Sequence, residues 1–419
     1  MHPIKIKASA LQFAILVSVM VALLLGSFLT LSHTQRYFKI QSDFLLSNIE
    51  ATNIGINEGL TTHLIVGDTV VLSEENTTIK VTKGFWGGFT KLSSLAETKS
   101  KKFGKLLLAG SMPTTPKTAA YIGDESLPLV LVGNARLEGT TYLSKNGIKA
   151  GNIAGHYYHG GPLVRGGIRL NAGGLPSIDK DWRQYIERIS TDRPSNEDFI
   201  HPSDENNRSF FESTQYIYSP DLLVLTESYI GNIIIKSDRE IRVTPYCRLT
   251  DVLLIAPKIT LESGFNGTAH LIAKEKIELK ENVSLTYPSS LVVLGKQYVD
   301  GQPLHNGDKP IVISNSAWVQ GIVVYLQTKE GQTSKRDSRT HIKIESQGGI
   351  DGSLYCEGNL ELEGTIRGSV YTQNFMANAS GSRYMNHIYN GKVLGNDLHA
   401  QFAGLPLVLT HKKIAKWLY

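Results

Sequence analysis

Two histidines form the most chemical-looking motif in the sequence. His156 and His159 stand in GHYYHGG; imidazoles can hold zinc or pass a proton, but this spacing settles little. The rest of a zinc site is missing. No HExxH and no carboxylate ligand lies nearby, and Gly155, Gly160 and Gly161 mark a loop. The motif therefore reads as an exposed contact surface made of His156, Tyr157, Tyr158 and His159, of a kind that can meet a glycan.

Carboxylates are the other candidates. A polysaccharide lyase or hydrolase needs acidic groups that converge with one another or with a basic residue. Glu357, Glu361 and Glu363 are close in sequence, but Glu361 and Glu363 flank Leu362 in an alternating run, the pattern of outward solubilising side chains. No GxSxG elbow, P-loop, dinucleotide fingerprint or calcium repeat occurs. This reading assigns no catalytic residue, no cofactor and no metal, and so no enzyme. Cys247 and Cys356 lie 109 residues apart and outside any CxxC pair. They are a candidate disulfide where the compartment is oxidising.

What positions these residues is a large chain. Its 419 residues exceed the roughly 250–300 at which one core stops growing, so two or more modules are expected. With 41% hydrophobic and 19% charged residues the composition is a folding one. The net charge of +5 is spread over 43 basic and 38 acidic residues, which points away from nucleic acid as a partner.

Residues 10–32 read ALQFAILVSVMVALLLGSFLTLS, and no Asp, Glu, Lys or Arg occurs from Ala8 to Gln35. That is enough for the roughly 20 residues a bilayer demands, so a transmembrane helix is predicted with the lipid bilayer as partner. Lys5 and Lys7 make residues 1–9 a basic leader; Arg36 and Lys39 weaken the charge contrast without reversing it. The expected topology is single-pass, N-terminus cytoplasmic and bulk periplasmic or extracellular. Residues 33–60 continue as a helical stem. There Phe38, Leu45, Ile49, Ile56 and Leu60 step by 7, 4, 7 and 4 along one helical face, which serves either to dock on the next domain or to assemble with neighbouring helices. Gly55 is the weak point of this stem.

From 61 to 128 the pattern changes to short β-branched runs separated by turns, such as LIV at 64–66, TVVL at 69–72 and TIKV at 78–81. This predicts an antiparallel β module. A basic leader, a long apolar helix and an antiparallel sheet in that order resemble pilin-like envelope proteins of the minor pilin or pseudopilin type. Leader and span join here at Ser9-Ala10-Leu11-Gln12-Phe13-Ala14, without the Gly and Glu usual in pilins. The resemblance implies a subunit of a pilus-like or type II secretion-like assembly, with other envelope or pilin-like subunits as partners.

The outer part carries a repeat. Ile235, Leu253 and Leu271 are 18 residues apart, and so are Ile241, Ile259 and Ile277, and Val243, Leu261 and Leu279. Three apolar columns sharing one period are the pattern of stacked parallel coils. A step of 16 relates Ile350-Asp351-Gly352-Ser353-Leu354-Tyr355 to Ile366-Arg367-Gly368-Ser369-Val370-Tyr371, with Gly at a corner that lacks space for a side chain. The expected fold is mainly β, ending in a parallel β-helix (β-solenoid). Its first part is placed at 129–175, an insertion with a short helix at 176–218, and its main part at 219–375. A C-terminal cap or tail at 376–419 ends in a basic amphipathic helix, HKKIAKWLY, with Leu405, Leu407 and Leu409 as a last strand. The stretch LYCEGNLELEGTIRGSVYTQNF resembles bactofilin-like, polymer-forming β-solenoid proteins. Together these readings describe a non-enzymatic, membrane-anchored structural or adhesive protein of the cell envelope. The alternatives are a surface β-helix carbohydrate-active enzyme, lyase or hydrolase, and a glycan-binding adhesin.

Overall fold

The computed structural model describes residues 8–74, 77–99, 101–113, 117–124, 126–193, 206–295, 298–299, 302–303, 309–328, 339–408 and 411–419. Most of the basic leader, residues 1–7, lies outside them, as does Leu409. The protein is mainly β, with one long apolar helix at its N-terminal end. The chain divides into two compact units, one of residues 1–57, 69–81 and 94–105, the other of residues 58–68, 82–93 and 106–419.

Helix α1 (Ala8–Thr61) is unbroken through 54 residues, about 80 Å at 1.5 Å per residue. In the first unit its buried face is Asn48, Ala51, Thr52, Gly55 and Ile56. This stripe of small and polar residues lies on strand segments carrying Ile79, Val81 and Ser94. A Cβ on Gly55 would stand 2.2 Å from Ser94 Oγ and 2.8 Å from Ile79 Cγ2. Gly55 is thus a point of close helix-to-sheet approach, in a helix that runs through it unbroken. Asn48 satisfies the strands it covers: its Nδ2 donates to Lys101 O (3.0 Å) and its Oδ1 accepts from Thr98 Oγ1 (2.7 Å).

Five strands form an antiparallel sheet, in the order Thr69–Glu74, Thr77–Trp86, Phe89–Thr98, Lys101–Ser111 and Lys412–Leu418. The C-terminal segment expected as a basic amphipathic helix is therefore an edge strand, paired antiparallel from Leu418 on Leu106 to Lys412 on Ser111. The reason is hydrogen bonding. Without it, the backbone edge of Leu106–Ala109, whose side chains are buried, would have no partner. Leu405 and Leu407 lie in no strand either; Leu407 forms an isolated bridge with Ile178.

In the second unit most strands join a closed barrel of predominantly parallel pairs. Ile241 pairs with Ile259, Ile259 with Ile277, Ile277 with Ile311, and Ile311 with Ile342. All five are buried in one apolar interior. The column of Val243, Leu261 and Leu279 is likewise in register. The third expected column is off by one: Ile235 pairs with Leu254, and Leu254 with Leu271. A bulge at Asp251, whose φ is +61°, takes up one residue and turns Leu253 to the opposite face. There Leu253 joins Ile234, Ile272, Val292 and Val324 beneath Trp182 and Ile186 of helix α2 (Lys180–Thr191). Strands buried on both faces have no alternation to display, which is why VLLIA and GIVVYL are continuous apolar runs.

The stacking order in space is not the chain order. Thr118–Ile122, expected in the antiparallel module, pairs in parallel with Thr365–Ala379. Arg136–Glu138 pairs with Lys392–Leu394, and Leu129–Val132 with His387–Tyr389. The early strands thus pair with the last strands of the barrel. The 176–218 segment contributes α2, capped by Asp179 Oδ1 accepting from Asp181 N at 2.9 Å. It also contributes two strands, Asn207–Arg208 and Gln215–Ser219, that already belong to the ladders.

Candidate functional site

The apolar half of α1 is the first candidate. None of its most apolar window is buried, and it is long and apolar enough to cross a membrane. Its hydroxyls bond back to their own helix: Ser18 Oγ donates to Ala14 O (2.8 Å), Ser27 Oγ to Leu24 O (2.9 Å), Thr30 Oγ1 to Gly26 O (3.0 Å) and Thr34 Oγ1 to Thr30 O (2.7 Å). Such a segment presents hydrocarbon in every direction with these donors satisfied.

The five stem residues do not share one environment. Ile56 is buried in the first unit, Ile49 and Leu60 are half-buried, and Phe38 and Leu45 are exposed at 64% and 46%. Tyr37, Ile40, Leu46 and Ile54 are also exposed, so the apolar surface left open on the stem is centred on Tyr37, Phe38, Leu45 and Leu46.

His156 and Tyr157 form one side of a two-residue hairpin with Asn152–Ile153, turned by Ala154 and Gly155 at positive φ. His156, Tyr157 and His159 are exposed. Tyr158 turns inward instead, packing on the core and donating from its hydroxyl to Pro162 O (3.1 Å). Burial, opposed by Arg165, raises its pKa. Among the described residues no group of three His, Cys, Asp or Glu is placed to hold a metal ion.

Cys247 and Cys356 do not form the candidate disulfide; both are free, buried thiols. Strand Arg248–Leu261 is followed in the stack by Asn266–Leu279, Ser284–Gly295, Trp318–Gln327 and Gly349–Leu362. Four strand spacings, about 19 Å, separate the two positions, against the roughly 4–7 Å between Cα atoms that a disulfide tolerates.

Of the three glutamates, Glu361 departs from expectation. Glu361 is buried, not outward. Its Oε2 accepts from Asn378 Nδ2 (2.7 Å) and Thr340 Oγ1 (2.9 Å), and Lys309 and Lys343 each lie 3.5 Å from its carboxylate. Burial lowers the pKa of Lys309, while Lys343 is raised because Glu361 and Glu363 outweigh its own desolvation. Alternation placed Glu361 on the outer face, but the side chains of Lys309, Thr340, Lys343 and Asn378 surround its carboxylate there. Glu357 pairs with Arg183 of α2 and accepts from Gln327 N (2.7 Å), which fastens the helix to the ladder.

A second buried polar cluster lies under the C-terminal strand. Asp251 is bonded by Lys416, and its carbonyl accepts from Trp86 Nε1 (2.7 Å). Close by, His270 Nδ1 is 2.8 Å from Ser290 Oγ, which accepts from Gly88 N (2.9 Å). Burial first, and the Lys416 charge second, push the His270 pKa down to about 3.

Sequence reasoning missed an ordered polar group on the outer ladder. Gln320, Asp351 and Arg367 are register partners on three successive parallel strands. Trp318 Nε1 donates to Asp351 Oδ2 (2.8 Å), Arg367 Nη1 lies 3.4 Å from Asp351 Oδ1, and the guanidinium stacks 4.8 Å over the Trp318 ring. The signal was present: the 16-residue step sets Asp351 beside Arg367.

No family model and no curated protein matches the sequence. Among solved structures, the competence-associated pilin ComZ from Thermus thermophilus is similar over 85% of this chain and 88% of that one, at 10% identity and a TM-score of 0.23. A score that low carries no argument about the fold.

Proposed function

We propose that this chain is a non-enzymatic, membrane-anchored envelope protein, held by residues 10–32 and displaying a β-solenoid. The observation that carries the reading is the apolar half of α1, which has no burial within the protein and internally bonded hydroxyls. Lys5 and Lys7 before the span favour a cytoplasmic N-terminus and an external bulk. The in-register Ile241–Ile259–Ile277–Ile311–Ile342 column supports reading the parallel ladders as solenoid coils.

Within that class we favour a subunit of a pilus-like assembly, joined through the stem of α1. Tyr37, Phe38, Leu45 and Leu46 form the exposed apolar surface for a neighbouring helix. The test is membrane fractionation of the full chain, intact mass to show whether the span is retained, and in-cell cross-linking of the wild type and a Phe38→Asp/Leu45→Asp variant. The proposal expects an uncleaved chain in the membrane fraction whose cross-linked partners vanish in the variant. A chain cleaved after the span, or cross-links unchanged by both substitutions, would overturn it. Ile56 is unsuited to this test, because charge there would disturb packing inside the first unit.

A further inference from the structure

We infer that the cleft beside Asp351 and Arg367 binds a short neutral oligosaccharide. It lies in the second unit, between the outer face of the parallel ladder and the 397–402 and 412–418 segments, and encloses about 600 Å³, within the range of small-ligand sites. Its polar lining is Gln320, Asp351, Arg367, Asp397, His399 and Gln401, two amides, two carboxylates, a guanidinium and an imidazole. Planar groups of this kind present donors and acceptors side by side, the complement of vicinal hydroxyls.

The site is pre-organised. Arg367 is held between the Trp318 ring and Asp351, so its remaining N–H groups are fixed in direction at little entropic cost on binding. His399 Nδ1 accepts from Gln401 N (3.1 Å), leaving Nε2 as the donor. Phe402 and Tyr287, 5.5 Å apart between ring centroids, supply an apolar wall.

Among the lining residues, Asp351 and Asp397 face a single guanidinium, Arg367, which Asp351 already pairs, so the lining itself offers a polyanion no unpaired cation. A peptide adding as a strand is disfavoured too. It needs an open backbone edge, and Gln320, Asp351 and Arg367 are already paired with one another in the ladder. This inference goes beyond the anchoring role, since it concerns a single chain and requires no assembly.

The experiment is calorimetric titration of the monodisperse full chain, in a sugar-free detergent, with maltohexaose, cellohexaose, chitohexaose and, as the acidic probe, an oligogalacturonate. Binding of at least one neutral hexasaccharide is expected, weakened at least about tenfold by Asp397→Ala and by Gln401→Ala. Both side chains are exposed, so neither change threatens folding. Lys276→Ala, outside the cleft, should leave binding unchanged. The inference is overturned if no neutral sugar binds, if the acidic probe binds more tightly than all of them, or if the two cleft variants bind like the wild type. Loss of membrane attachment or of cross-links would leave this result untouched.

Discussion

Lys416 Nζ lies 2.7 and 2.8 Å from the two carboxylate oxygens of Asp251, a side chain with no solvent exposure. One residue sits at the bulge that shifts the ladder register, the other on the C-terminal edge strand, 165 positions away. The contact locks the end of the chain onto the middle of the parallel stack. Removing one partner leaves an unpaired buried charge, at a cost of about 3–5 kcal/mol. Lys416→Met should therefore lower the urea midpoint of the full chain markedly. Adding Asp251→Asn, which keeps the positive φ tolerable, should recover much of the loss. A single variant as stable as the wild type would refute this account.

The glycine column offers a steric test. At Gly352 a Cβ would stand 1.8 Å from Gly321 O, and at Gly368 1.9 Å from Gly352 O. Their φ angles are +157° and +147°. Gly381 also has a positive φ, +77°, but open space around it. Gly352→Ala should prevent accumulation of folded protein, whereas Gly381→Ala should cost only about 1 kcal/mol. Soluble yield and protease resistance of the two variants would check the contrast.

His270 predicts a pH dependence. Its folded pKa is held near 3, below the ordinary 6.5, so folding favours the neutral ring. The stability this contributes is complete above about pH 6.5 and is lost as pH falls from there toward 3, by up to about 1.4 kcal/mol per pH unit. His270→Gln should flatten the decline in urea stability between about pH 6 and pH 4. Parallel curves for the two proteins would show that the imidazole does not matter.

The two thiols should be silent in the native protein. Burial pushes both Cys247 and Cys356 from 9.0 up to about 12, leaving on the order of one thiolate in ten thousand at pH 8. Iodoacetamide should modify neither until denaturant is added, and then both, with no mobility change on non-reducing gels. Labelling of the folded chain at either position would contradict their burial.

Several features were legible because they are local. The long apolar helix shows in composition alone, and two of the three 18-residue columns are in register because each repeat sets the same positions inward. Other features needed the neighbours. The third column slipped by one at Asp251, since a bulge stabilised by Lys416 and Trp86 leaves no trace in hydrophobic period. Glu361 looked outward by alternation but is covered by Lys309, Lys343 and Asn378. Asp351 and Arg367 were visible as a repeat, and only the walls at 397–402 and 412–418 make a cleft of them.

By itself the sequence determined where the apolar helix runs and that the Ile241 and Val243 columns point into the parallel stack, because helix periodicity and unbulged strand alternation are set by near neighbours in the chain. Tertiary structure alone decided that Thr118–Ile122 lies against Val370–Thr372 and that KKIAKWL is a strand rather than a helix. Those choices depend on which distant backbone edges would otherwise remain unpaired, and no local pattern records that.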